Sequence, residues 1–141
     1  MELTAVYLYN RIPVEVKNIS NKTFHNLKRH GWYNDTRTNK KFTMLNRRYM
    51  VGSTWYRALI RFSYEGLSVD AEETFSLSIP CPFLVTECEP FTADDGEQRW
   101  RDIKTYHGPK LKSVTGLLRE GVPSDLVDFV YNDLKQYIIY N

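Results

Sequence analysis

The clearest hydrophobic pattern in the chain runs from Thr54 to Tyr64, TWYRALIRFSY. At a period of two, Tyr56, Ala58, Ile60, Phe62 and Tyr64 fall on one face; Trp55, Arg57, Leu59, Arg61 and Ser63 fall on the other. Aromatic and β-branched residues suit a pleated surface, and no glycine or proline interrupts the run. The pattern predicts a long strand near the middle of a sheet, with one dry face and one face carrying two arginines. Glu73–Ile79 repeats the alternation: Phe75, Leu77 and Ile79 point inward, making it a neighbouring antiparallel strand.

Weaker patterns fill in the rest. Leu3–Asn10 reads as a first strand. Ile12, Val14 and Val16 make a second, placed at an edge or corner because Pro13 cannot donate to a ladder. Ser20 or Asn21 caps a short helix that turns Phe24 and Leu27 inward and stops at Gly31. Periodicity fades over residues 32–50, which read as a connection with a mobile loop at 34–48, tethered by Phe42, Met44 and Tyr49. Residues 87–102 read as an acidic connection with a turn at Ala93–Gly96, anchored by Trp100 and Ile103, and Leu111–Arg119 as a strand. Ser124 then opens a last helix whose Leu126, Phe129, Val130, Leu134, Tyr137 and Ile138 share a face. The expected fold class is α+β: a single domain, 1–141, with a mainly antiparallel twisted sheet, a short helix after the first strands and a C-terminal helix packed against it.

Charge divides this chain. Up to Arg61 twelve basic residues face three acidic ones (net +9); from Phe62 onward seven face fourteen (net −7). With 141 residues the chain suits one core, and its ten Tyr and three Trp give it a surplus of side chains useful at interfaces. No apolar run reaches the ~20 residues of a spanning helix, and the N-terminus lacks signal-peptide features. The expected setting is therefore intracellular, either cytoplasmic or peripheral at a membrane. There Cys81 and Cys88 are buried free thiols and the sequons at Asn18, Asn21 and Asn34 are turns.

The candidate chemistry is binding. His25, His30 and His107 have no metal-ligand spacing, no nucleophile signature or phosphate-binding glycine loop occurs, and Glu72/Glu73 and Asp94/Asp95 are neighbours in solvated turns. We expect no enzyme, metal or cofactor. Lys28, Arg29, Lys40, Lys41, Arg47 and Arg48, extended by Arg57 and Arg61 and interleaved with Phe24, Trp32, Tyr33, Phe42 and Tyr49, make the expected surface for nucleic acid or anionic lipid. Glu72, Glu73, Asp94 and Asp95 are candidates for self-association with the opposite pole. Tyr131-Asn-Asp-Leu134 fits a tyrosine-x-x-leucine motif, but helical spacing assigns Leu134 to packing.

Gly52–Ile60, GSTWYRALI, resembles a segment of rhabdovirus matrix proteins, in which a glycine and a few polar residues lead into an aromatic-Tyr-Arg-Ala-aliphatic strand. The order of strands, helix and tryptophans around it is also similar, whereas the lysine-rich tail typical of those proteins does not precede the first strand here. The resemblance implies a viral structural protein that self-assembles as a homo-oligomer and contacts anionic membrane or RNA–nucleoprotein, found in the virion. The alternative is a monomeric nucleic-acid-binding accessory module of viral or cellular origin.

Overall fold

A computed structural model describes residues 14–79, 83–106 and 114–140. The expected strand Leu3–Asn10, Cys81, His107 and the start of the Leu111–Arg119 segment lie outside these residues. Strand β1 (Val14–Ser20) leads into helix α1 (Lys22–Arg29), then β2 (Tyr33–Asn34), β3 (Phe42–Val51), β4 (Thr54–Leu67), β5 (Glu73–Ile79), β6 (Phe83–Thr92), β7 (Gln98–Tyr106), α2 (Val114–Arg119) and α3 (Ser124–Tyr137). The fold is a single α+β domain with a seven-stranded antiparallel sheet.

β4 organises the sheet because its 14 residues outrun any one neighbour. One edge pairs with β3 from Thr54↔Val51 to Ser63↔Phe42. The other edge is shared: Trp55–Ile60 pairs with β6 and Ser63–Leu67 with β5. From that edge the sheet forks, β5 continuing to β1 and β6 to β7. A register shift between Tyr64 and Gly66 (φ 140°) bends β4 near the fork.

All the helices with a described core contribution pack on one face. Phe24 of α1 meets Phe62 and Phe75 edge-on at 5.1 and 4.6 Å, and Leu126, Val130 and Leu134 of α3 are buried in the same cluster as Tyr49, Ala58 and Ile60. Gly31 (φ 98°) ends α1 in the left-handed conformation expected of it. The C-terminal segment is stitched back onto α1: Thr23 Oγ1 donates to Ile139 O (3.0 Å) and accepts from its N–H (2.8 Å), and Ser20 N–H donates to the same carbonyl at 2.7 Å. Among the described residues no helix is long and apolar enough to cross a membrane.

Several expectations need correcting. The loop at 34–48 is a loop only to Lys41, because Phe42–Val51 is β3. Residues 87–102 are no open connection: they belong to the β6–β7 hairpin, with the turn where expected, and its supposed anchors Trp100 and Ile103 are exposed. Val114–Arg119 is helical, Pro123 rather than Ser124 occupies the N-cap of α3, and Tyr64 at the end of the dry face is partly exposed. Tyr131 and Leu134 are both buried, as the packing reading requires.

Candidate nucleic-acid interface

The face of the sheet away from the helices carries alternate residues of four strands. The registers Met50↔Trp55, Arg48↔Arg57, Asn46↔Leu59, Met44↔Arg61 and Phe42↔Ser63 set its middle, and Trp55↔Cys88 and Cys88↔Asp102 extend it to the hairpin. The hairpin runs past the start of β4, since Glu89–Thr92 pairs only with Gln98–Arg101. Trp100 nevertheless reaches back, its ring edge-on to Trp55 at 5.2 Å.

Arg48 is the hub of this face. Its guanidinium carbon lies 4.5 Å from the Trp100 ring centroid and 5.3 Å from that of Tyr33, so the cation sits between two aromatic side chains. Both residues remain 37% exposed. Across the ladder Arg57 reaches Asp102 at 3.4 Å. Four residues further along β4, Arg61 stacks on Phe42 at 4.3 Å, and that step along a strand spans about 13 Å. Lys40 and Lys41 precede Phe42, and the Lys41 carbonyl accepts from Tyr64 N–H (2.9 Å), which fixes both lysines at the Arg61 end.

Beneath these side chains the face is closed rather than wet. Met44, Asn46, Leu59, Thr86 and Cys88 are buried, so Leu59, on the arginine face as expected, is nonetheless covered. Asn46 Oδ1, Arg48 Nε and Arg57 Nε are buried without a hydrogen-bond partner in the protein. Buried polar atoms left without a partner cost stability. Asn46 Nδ2 does find a partner, Asp35 Oδ2 at 2.8 Å, and Asp35 also takes Arg37 Nε at 2.7 Å. The bond from Arg37, followed by that from Asn46, holds the Asp35 carboxyl well below the usual carboxylate range, against the effect of burial. Burial pushes the Tyr33 hydroxyl and the Cys88 thiol up, with the positive charges of Arg48 and Arg57 opposing both.

The sequence-derived surface is thus divided. Arg48, Arg57 and Arg61 follow one face, with Lys40 and Lys41 just before β3 at the Arg61 end, whereas Lys28 and Arg29 belong to α1 in the layer on the other side. Arg47 alternates onto the helix-bearing face, where it bonds Asp133 Oδ2 (2.6 Å) and the His30 carbonyl (2.7 Å). Asp133 Oδ2 also accepts from Tyr49 OH (2.6 Å) and Trp32 Nε1 (3.1 Å). Arg47 is therefore committed to fastening α3 onto β3. Glu72 closes the β4–β5 turn, 3.7 Å from Lys22, and Glu73 opens β5, while Asp94 and Asp95 sit at the β6–β7 turn, Asp95 bonded to Arg99. The two turns lie beyond opposite ends of β4, so the four carboxylates do not form one surface.

Sequence reasoning counted Tyr33 among the interleaved aromatics and Trp55 on the arginine face, but did not bring Trp100 or Asn46 to that face. A signal existed for Trp100: Gln98, Trp100 and Asp102 alternate after a recognisable turn. Among the described residues no group of three His, Cys, Asp or Glu side chains is placed to hold a metal ion. Comparison with known proteins finds no matching family model, no matching curated protein and no matching solved structure.

Proposed function

We propose that this protein is a non-enzymatic nucleic-acid-binding protein that takes single-stranded RNA on the face of its sheet opposite the described helices. The observation carrying the reading is the Tyr33–Arg48–Trp100 stack, in which a cation is held between two aromatics that each keep exposed surface for a base. Aromatic faces stack on unpaired bases whatever their identity, and flanking cations neutralise the backbone. Arg61 on the same face, and Lys40 and Lys41 just before β3 at its end, continue the positive charge beyond Arg57, which is paired with Asp102. A duplex hides its base faces, so the stack favours an unpaired strand.

Fluorescence anisotropy with a short labelled single-stranded RNA tests this. Trp100→Ala removes one stacking platform without touching the core and should weaken binding by ~1–3 kcal/mol. A duplex of the same sequence should bind less tightly. Equal affinity for strand and duplex, with no effect of Trp100→Ala, would reject the stacking mode.

A matrix-type structural role at an anionic membrane or RNA–nucleoprotein is the second reading. It is favoured by one observation: the segment resembling rhabdovirus matrix proteins supplies Trp55 and Arg57 to this same face. Anionic vesicles that compete with RNA for the face would support it.

A further inference from the structure

The β4–β5 turn holds apolar side chains in water. Val69 is fully exposed and Leu67 is 65% exposed. The turn is nonetheless well fixed. Ser68 N–H donates to Glu72 O (2.8 Å), Ala71 N–H to Ser68 O (2.9 Å) and Glu72 N–H to Ser68 Oγ (3.3 Å). Ala71 completes it at φ 61°, a left-handed conformation that a residue with a side chain adopts only at a cost. Asp70 and Glu72 make this apolar tip acidic, while Glu65 at its base accepts from Asn18 N–H (2.9 Å).

Beside it lies a groove of opposite character. Asn21, Lys22, His25, Asn26, Arg29 and Ile139 line an open depression of about 460 Å³ between α1 and the C-terminal segment. Lys22, His25 and Arg29 recur at spacings of three and four, so they share one helix face, with partly exposed Ile139 as the apolar element. Tip and groove are neighbours: Ser20 pairs with Thr74, and Lys22 Nζ approaches Glu72 Oε1 to 3.7 Å.

We propose that the occupant of this groove is the β4–β5 tip of a second copy of this chain, exchanged reciprocally in a closed twofold dimer. The charges are complementary: an acidic tip around Leu67 and Val69 meets a basic groove around Ile139. The side-by-side placement supplies the symmetry. One twofold axis brings each tip to the other's groove, so both contacts form together and association stops at two. A head-to-tail chain through opposed charged poles would instead need its two surfaces far apart. An anionic lipid surface is a poor occupant for the tip, because its carboxylates repel it. The proposal is independent of the RNA reading, which uses the face of the sheet opposite the described helices.

Sedimentation velocity of the full chain without nucleic acid, over a range of protein and salt concentrations, tests it. The expected result is a monomer–dimer equilibrium that weakens with salt. Val69→Lys puts a charge like the groove's own on the exposed tip and Arg29→Asp reverses an exposed groove cation, so both variants keep the parent's circular dichroism. Each should raise the dimer dissociation constant by about tenfold or more. Mixing the two variants should recover a heterodimer stronger than either variant's own association, because one tip and one groove remain intact across the pair. A strict monomer at every concentration overturns the proposal. So does a dimer indifferent to both substitutions, a mixture with no recovery, or growth beyond the dimer.

Discussion

Asp133 receives three donors on a single carboxylate oxygen, from Trp32, Arg47 and Tyr49, and its side chain is only 14% exposed. Removing it leaves an arginine, a phenol and an indole N–H without their shared acceptor. Asp133→Ala should therefore cost ~2–4 kcal/mol, below the full value for a buried pair because Arg47 keeps partial access to water, as urea unfolding would measure. Burial, then the bond to Asp133, raises the Tyr49 hydroxyl above its ordinary 10.0. A raised acid is protonated in the fold while the unfolded chain has already released its proton. The stability it contributes is present below pH 10.0 and is lost as pH rises above that value, and Tyr49→Phe should flatten this alkaline fall. Asp35 works in the opposite sense. Its carboxyl is depressed from an ordinary 3.8, so its contribution is present above that pH and lost as pH falls through and below it. Asp35→Asn should make the acid limb shallower. Loss of stability with acid at an unchanged slope in that variant would mean that other carboxylates dominate.

At the scale of elements, the two faces of β4 differ in energetic character. Phe62 is fully buried against Phe24, so Phe62→Ala should cost ~3–5 kcal/mol, while exposed Arg61→Ala should cost less than ~1 kcal/mol. Equal losses in thermal or urea unfolding would reject the assignment of faces. β4 and β5 were legible because each buries one side and alternates accordingly. β3 was not, for a local reason. Arg47 occupies an inward position that an apolar residue would otherwise mark, satisfied there by Asp133, while Met44 and Asn46 are buried on the opposite side. Both faces are thus mixed, and no period survives. β7 failed for the converse reason: Gln98 to Thr105 are exposed whichever way they point, so no alternation was required of them. Val114–Arg119, six residues with a β-branched start and an internal glycine, is too short for a period of 3.6 to show. The candidate site inherited these errors. Its cations were visible one by one, but only the strand assignment of Phe42–Val51 separates Arg47 from Arg48.

In the whole molecule the run of charge along the sequence becomes a division by face. Arg47 and Arg48 are consecutive, yet one fastens the helical layer to the sheet and the other sits in the aromatic stack on the far side. Substitutions there should dissociate stability from binding. Arg47→Ala breaks the link to Asp133 and the His30 carbonyl, so it should destabilise the fold by ~1–3 kcal/mol while leaving RNA affinity near the parent's under conditions where the protein is folded. Lys41→Glu combined with Arg61→Glu should do the reverse. Both side chains are exposed, so unfolding should shift by under ~1 kcal/mol while RNA binding collapses. Salt adds a second readout. Each lost phosphate contact removes roughly 0.7 from the slope of log affinity against log salt on a single strand, so the double variant should show a slope shallower by one to two such steps. Reversal of Lys28 and Arg29, on the α1 side, provides the control and should leave the slope unchanged. A steeper loss from Lys28 and Arg29 than from Lys41 and Arg61 would move the RNA track to the helical layer and leave the Tyr33–Arg48–Trp100 stack as packing alone.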